Sequence, residues 1–593
     1  MREINKPKNK IPILVKDEEG NIPGSTIGKI KIIEDYFKKT LAPPEMENEF
    51  ASFPPTPMRK PFTADEIKAT VKKLGNDKAA GPDKIQAEFI KYAPTIIHQE
   101  IANIFNITAA TGDVPTALIE GLLCPLQKPG KQKGPPENLR PIILLSILRK
   151  ILTIAMLDRT WNRLKDEIPK SQAAYQRGRG TTEQVLALRM IIDKALTSQD
   201  LDIYILLLDM SKAFDTVNRR ILLEDLQNTL APDEIHLLAI LTNRPNISIF
   251  LDGEAGEGFN TNVGICQGDC LSAVLFIYYL SHALRQQQVD QAPLNDLKSI
   301  LDVFYADDLT YASETTGDRE EIKKDVPSKL KSYNLFVNLG KTEEGEAPDK
   351  RPPPPPPPPP DKDPGVRVHW SPLDYLCVIP KMFPPEPTYK EIKLLGTKLD
   401  TKKDIISRKN KVWQPIQKFN HYFRSKRLSI PHKIRIFKAY VETTLLYNSE
   451  TWALTATLEE SLNSFHRRIL RIAINIRYPK KISSKNLYIL TKETPISDRI
   501  RKRRIALFGH VLRLHPDTPA QKALQFHIVP RKRPVGHPHA TWLALITKDI
   551  KKTLQHHNIK SPLNKDSIEK LTVLAKDNTI WKKEIMRSMG SNP

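Results

Sequence analysis

Val303-Phe304-Tyr305-Ala306-Asp307-Asp308-Leu309-Thr310-Tyr311 sets two adjacent acids between two strand-like runs. Neighbouring side chains on a flat strand point to opposite faces. Both carboxylates can serve one site only if the pair lies at or near a tight hairpin turn, which the flanking runs permit. Adjacent carboxylates repel unless a cation sits between them, and hard oxygen donors suit Mg²⁺ better than a softer metal. A water-exposed Asp-Asp turn is the plainer reading of the same residues.

Upstream, Ile203-Tyr204-Ile205-Leu206-Leu207-Leu208 is an apolar run of strand length that stops at Asp209 and continues Met210-Ser211-Lys212-Ala213-Phe214-Asp215. A buried strand thereby delivers a carboxylate at its end, or Asp209 simply caps the following turn. Between the two acid segments, Gly264-Ile265-Cys266-Gln267-Gly268-Asp269-Cys270-Leu271-Ser272-Ala273 opens an apolar helix. Its glycines allow backbone to approach a ligand closely, or only let the chain turn.

The 593 residues exceed the usual domain length several times over, so three or four domains are expected. Hydrophobic residues at 40% and charged residues at 27% argue against wholesale disorder and against a membrane protein. The longest apolar stretches, Ile142 to Leu148 and Val274 to Leu280, fall far short of the roughly 18 residues that cross a bilayer. The charged start Met1-Arg2-Glu3-Ile4-Asn5-Lys6 lacks the apolar core of a secretory signal, so an intracellular address is expected, nucleus or cytoplasm. Cys124, Cys266, Cys270 and Cys377 show no zinc spacing. Cys266 and Cys270 read as two small buried residues, with a metal clip as the alternative.

The net charge of +23 is unevenly spread: residues 401–593 hold 40 Lys+Arg against 13 Asp+Glu, and residues 1–400 hold 51 against 55. A basic third of this kind can neutralise phosphates and release counterions, or serve as a solvated surface. Residues 1–60 read as a loosely attached lead-in with one periodic stretch, Ile27 to Leu41. Thr63 and Glu66 then form a capping-box signature ahead of Ile67, Val71 and Leu74. A second helix follows with Ile85, Phe89 and Ile90 on one face. Strands and helices alternate to about residue 400, interrupted by an unbroken proline run from Pro352 to Pro360 among acids. That run favours extended polyproline backbone, a linker or a docking strip for proline-binding modules. Beyond residue 400 the chain reads as helical and basic.

Taken in order, these segments resemble the reverse transcriptase of non-long-terminal-repeat (LINE, jockey-like) retrotransposons. Leu126-Gln127-Lys128-Pro129-Gly130-Lys131 and Asn138-Leu139-Arg140-Pro141-Ile142-Ile143-Leu144-Leu145 look like its fingers motifs. Ser171-Gln172-Ala173-Ala174-Tyr175-Gln176-Arg177-Gly178-Arg179-Gly180-Thr181-Thr182 looks like the segment before the palm. The Asp209 to Asp215 stretch, Gln267-Gly268, Tyr305-Ala306-Asp307-Asp308, Gly340-Lys341-Thr342 and Leu394-Leu395-Gly396 look like successive palm motifs. Where the family often has a small residue, Pro and then Leu-Ser-Pro after Gln-Gly, this chain has Asp269, Cys270 and Ala273.

The resemblance implies an α/β fold (an α+β palm): a right-hand polymerase with fingers, palm and thumb, followed by a mostly helical basic C-terminal region. It divides the chain into a lead-in at 1–60, fingers and palm at 61–400 with a proline-rich insertion at about 343–388, a thumb-like region at 401–485, and a basic region at 486–593. The helical spacing of Ile434, Phe437, Lys438 and Val441 suits such a thumb. The implied activity is RNA-directed DNA synthesis, with an RNA template, a DNA primer and dNTPs as partners. Asp209, Asp307 and Asp308 would hold two Mg²⁺ ions, Asp209 and Asp307 as principal ligands and Asp308 mainly supporting the turn. Lys128 and Arg140 would meet the triphosphate, with surface ion pairing as the alternative. Phe214 would exclude a ribose 2′-hydroxyl, or is a core aromatic. Gln267 would lie along the nascent base pair, and Lys341 near pyrophosphate, unless it is a plain solvated lysine. Arg501, Lys502, Arg503 and Arg504 would contact nucleic acid. Relatives of this kind usually carry an endonuclease ahead of the polymerase, and about 60 residues precede the fingers here. The expectation is therefore a polymerase fragment, with a catalytically inactive nucleic-acid-binding remnant as the alternative.

Overall fold

A computed structural model describes residues 13–44, 53–243, 245–285, 299–346, 389, 391–477, 479–532 and 539–589. The chain forms two compact units, one from Met1–Pro169, Met210–Leu294 and Lys324–Asn338, the other from Lys170–Asp209, Asn295–Lys323 and Leu339–Pro593.

In the first unit, Leu139–Leu145 pairs antiparallel with Glu120–Gln127, which pairs parallel with Asn246–Leu251; the short strands Glu254–Ala255 and Phe259–Asn260 flank the latter. Alternate residues of Leu139–Leu145 are buried, as a sheet with one covered face requires. The cover includes the helix Thr26–Leu41, whose Ile30, Ile33, Phe37 and Leu41 pack with Leu123, Ile143 and Ile249. The lead-in is thus integral over that helix, because its periodic stretch supplies a complete apolar stripe. Thr63 caps the helix Ala64–Val71 by accepting from the Glu66 amide. The second helix, Ala87–Lys91, is short and its expected apolar face is not buried: Ile85 and Phe89 are exposed.

The second unit contains an antiparallel sheet in the order Glu343–Glu346, Tyr204–Leu208, Asp308–Ser313, Ser299–Tyr305. The helix Thr181–Leu196 packs against it in a core that also takes Phe508, Trp542 and Trp581. A second helical core gathers Phe423, Phe437, Val441, Trp452 and Leu470. Ile434, Phe437 and Val441 are buried and Lys438 is exposed, as their spacing predicts, but Phe437–Glu442 runs as a π-helical turn. Glu343–Glu346 lies inside the expected proline-rich insertion and is instead an edge strand. Its charge is balanced by Lys323 on Glu344 and by Arg319, 3.1 Å from Glu346. Such an acidic edge resists pairing with another chain. The run from Pro352 to Pro360 lies outside the described residues. The α/β expectation with a helical C-terminal region holds. Among the described residues no helix is long and apolar enough to cross a membrane.

Candidate active site

Ser299–Tyr305 and Asp308–Ser313 form a hairpin whose loop is only Ala306 and Asp307, with Tyr305 opposite Asp308. The first loop residue, Ala306, has φ 55, the left-handed conformation that a two-residue hairpin loop demands and a β-carbon disfavours. A buried side chain holds it there. Gln172 Oε1 accepts from the Ala306 amide at 2.8 Å, and Gln172 Nε2 donates to the Ala306 carbonyl at 3.2 Å. The Ala174 amide donates to the same Oε1 at 3.0 Å, so the glutamine amide is fixed from both ends. Gln172 stood in the motif segment but carried no expected role, and nothing local to it points to a turn 134 residues away.

The central strand Tyr204–Leu208 pairs with Asp308–Ser313, Leu208 opposite Leu309, and ends at Asp209. Asp209 and Asp308 therefore line one cavity of about 420 Å³ with Lys341, Thr342 and Lys393. Burial, then the charges of Asp307 and Asp209, push the Asp308 carboxyl up to about 6, against the opposing pull of Lys341. Asp308, expected among the ligands and mainly as a support for the turn, lines the cavity, and Asp307 stands in the loop. Lys341 Nζ lies 2.6 Å from Asp209 Oδ2 and is half exposed, which gives it a partner among the acids. Lys393 in the cavity wall was not singled out; its only sequence signal is its place just before Leu394-Leu395-Gly396.

Among the described residues no group of three or more His, Cys, Asp or Glu is drawn together as a ready-made ion cage. The donor chemistry nonetheless fits a hard cation: carboxylate oxygens, with Asp308 raised by burial and then by its acidic neighbours, already attracting one ammonium.

In the first unit, Gln267 Nε2 donates to Asp215 Oδ1 at 2.8 Å, and the Gln267 carbonyl accepts from the Ile143 amide at 2.8 Å. Burial pushes the Asp215 carboxyl up to about 6, against Gln267, Lys212 and Lys128. The loop glycines serve the protein's own backbone. A β-carbon at Gly264 (φ 77) would stand 2.8 Å from the Asp215 carbonyl oxygen, and one at Gly268 (φ 126) 2.6 Å from the Ile143 carbonyl oxygen. Asp269, one of the departures, is a buried ion-pair partner of Arg149 at 3.5 Å. Cys266 is buried as expected, whereas Cys270 is exposed. Phe214 is partly buried and stacks on Phe276 with centroids 4.4 Å apart. Arg140 is exposed, and Lys128 donates to the Glu137 carbonyl at 2.7 Å.

The run of four cations divides by burial. Arg504 is 3% exposed and bound to Asp549 at 2.6 Å, so it faces the interior and not a phosphate. Arg501 also pairs with Asp549 and Arg503 with Glu450, while Lys502 is exposed. Adjacent helical positions point in different directions around the axis, which scatters a continuous basic run.

Residues 126–399 match the family described as reverse transcriptase (RNA-dependent DNA polymerase). The chain is similar to the RNA-directed DNA polymerase from mobile element jockey of Drosophila funebris, 26% identical over 499 residues, 80% of this chain and 50% of that one. The protein of the same description from Drosophila melanogaster is 23% identical over 488 residues, 78% of this chain and 49% of that one. The chain thus spans about half the length of the curated relatives it matches. Among solved structures, apo telomerase from Candida Tropicalis is similar at 13% identity, covering 80% of this chain and 74% of that chain, with a TM-score of 0.36.

Proposed function

Residues 126–399 are a reverse transcriptase domain of the jockey-like, non-long-terminal-repeat retrotransposon kind, and on that premise we propose that this chain extends a primer 3′-hydroxyl with dNTPs on an RNA template. The observation that carries the reading is the convergence of Asp209 and Asp308 on one cavity, with Asp307 at the adjoining turn. Two Mg²⁺ ions held by Asp209, Asp307 and Asp308 would activate the primer hydroxyl and neutralise the triphosphate.

The protein's own work is positioning. The hairpin fixes Asp308 against the Asp209 strand end, and Gln172 holds the turn in its left-handed geometry, so little reorganisation is left for the reaction. Lys341 stabilises the clustered acids and offers a half-exposed ammonium to a departing pyrophosphate. Arg140 offers an exposed fork to phosphate oxygens, and Lys128 a second cation. Gln267, oriented by Asp215, takes the nascent base pair, and the ring of Phe214, stiffened by Phe276, excludes a ribose 2′-hydroxyl. Template and primer are held by the basic C-terminal third, Lys502 included. An intracellular site of action, nuclear or cytoplasmic, and docking of proline-binding modules at 352–360 belong to the same proposal.

Primer extension on an RNA template with Mg²⁺ tests it, comparing the chain with Asp307→Ala/Asp308→Ala. Incorporation only by the unaltered chain is the expected outcome. Equal incorporation by both, or none by either while the RNA is bound, contradicts it.

A further inference from the structure

From Ile405 to Val441 the sequence holds ten Lys or Arg and no Asp or Glu. Helices Trp413–Lys418, Asn420–Arg424 and Ile430–Ile436 and the π-helical turn Phe437–Glu442 bury one face of this stretch through Ile416, Phe423, Ile434, Phe437 and Val441. The other face carries a row of rings. Tyr440 stacks on Phe419 with centroids 4.3 Å apart and planes at 30°. Phe419 lies 6.2 Å from Tyr422, and Tyr422 4.0 Å from His421. Tyr440 is 51% and Tyr422 42% exposed, while Phe419, which both rings meet, is partly buried.

The π-helical turn gives the row its end. An inserted residue rotates the following side chains around the axis, and such turns recur at functional sites. Thr443 and Thr444 hydroxyls donate to the Ala439 and Tyr440 carbonyls at 2.9 and 2.8 Å, covering acceptors at this irregular turn. Around the rings, Lys418, Arg424, Lys426, Arg427 and Arg435 are exposed. Unlike Lys438, which is 2.7 Å from Glu493, they enter no ion pair among the described residues. A row of rings with two exposed tyrosines, Lys418 lying 5.5 Å over the Phe419 ring and four further exposed cations beside it, is what an unpaired nucleic-acid strand binds: bases stack on the rings and phosphates meet the cations. A duplex offers the same phosphates but keeps its base faces covered.

We infer that Tyr440, Phe419, Tyr422 and His421 form a stacking platform for an unpaired nucleic-acid strand. The inference deepens the proposed function and rests on its nucleic-acid-binding part, adding that this surface distinguishes single strands from duplex.

The test is equilibrium binding of the full chain to a labelled twelve-nucleotide RNA, the DNA of the same sequence, and a blunt duplex, without divalent metal or dNTP. Tyr440→Ala/Tyr422→Ala is expected to weaken single-strand binding about tenfold or more. Duplex binding should change less than about twofold, because the cations remain. Tyr440→Phe/Tyr422→Phe keeps the rings and should bind as the unaltered chain does. Loss on RNA, on DNA or on both supports the platform and identifies the strand it takes. No loss on either single strand, an equal loss on the duplex, or equal loss in the Phe variant overturns it. Since neither metal nor nucleotide is present, failure to extend a primer leaves this result standing, and the reverse also holds.

Discussion

Two groups of acids in the second unit are built in opposite ways. Asp404 is 1% exposed and surrounded by donors: Arg189 at 3.3 Å, Arg408 at 3.5 Å, and the Trp452 indole at 2.8 Å. Both of its ion-pair partners are positive, and the carboxylate ties the Thr181–Leu196 helix to the helical core. Asp209, Asp307 and Asp308 reverse this. They stand beside one another; burial, and then the charges of Asp307 and Asp209, raises Asp308 to about 6, and Lys341 is the cation acting on Asp308 and pairing with Asp209. Neutralised acids hold a fold together. Acids left crowded at a cavity are a cost that a fold bears for chemistry.

The largest expected effect breaks the second group. Asp307→Ala/Asp308→Ala should lower incorporation at least about a thousandfold while leaving the unfolding midpoint unchanged or higher, since it relieves like-charge repulsion. A midpoint that falls with activity would make the acids structural. Asp404→Ala should do the opposite. Removing one partner strands Arg189 in the interior and should cost about 3–5 kcal/mol in denaturant unfolding. Incorporation per folded molecule should be retained, and an unaltered unfolding curve would refute the contrast.

Gln172→Ala sharpens the comparison at the turn. It leaves the Ala306 amide without its partner and lets a left-handed residue relax, so kcat should fall about tenfold with KM for dNTP nearly constant. A change in KM alone would assign Gln172 elsewhere. A change confined to pH dependence concerns Asp215, a buried acid that resembles neither group. Burial raises its carboxyl to about 6, above the ordinary value of 3.8. Its contribution to stability is therefore complete below about pH 4 and lost as pH rises through about 6, at most about 3 kcal/mol. Asp215→Asn should remove that part of the pH dependence, measured by thermal unfolding between pH 4 and 7; identical slopes would contradict the assignment.

The contrast also marks what was legible in the chain. The hairpin could be read because two acids between strand runs leave few geometries, and Thr63 because a cap is local. The Gln172 clamp could not, since its partner lies 134 residues away and a glutamine's amide takes any backbone group. Glu343–Glu346 looked like part of an acidic insertion because Glu and Gly are poor strand formers. Its pairing depends on Arg319 and Lys323 and on Gly345, where a β-carbon would strike Ile392. Arg504 looked like a phosphate contact because composition counts cations without their facing, and only Asp549 reveals its direction. Among the acids, sequence spacing led to Asp308 being expected mainly at the turn, and its place in the cavity wall follows from strand register.

Single-turnover incorporation of one dNTP on an RNA template, with template binding measured in the same samples, tests nucleotidyl transfer at Asp209 and its neighbours in Asp209→Asn. This substitution keeps the shape of the side chain and removes its charge. Template binding should stay within about twofold and incorporation should fall by at least about a thousandfold. Incorporation at the unaltered rate would contradict it.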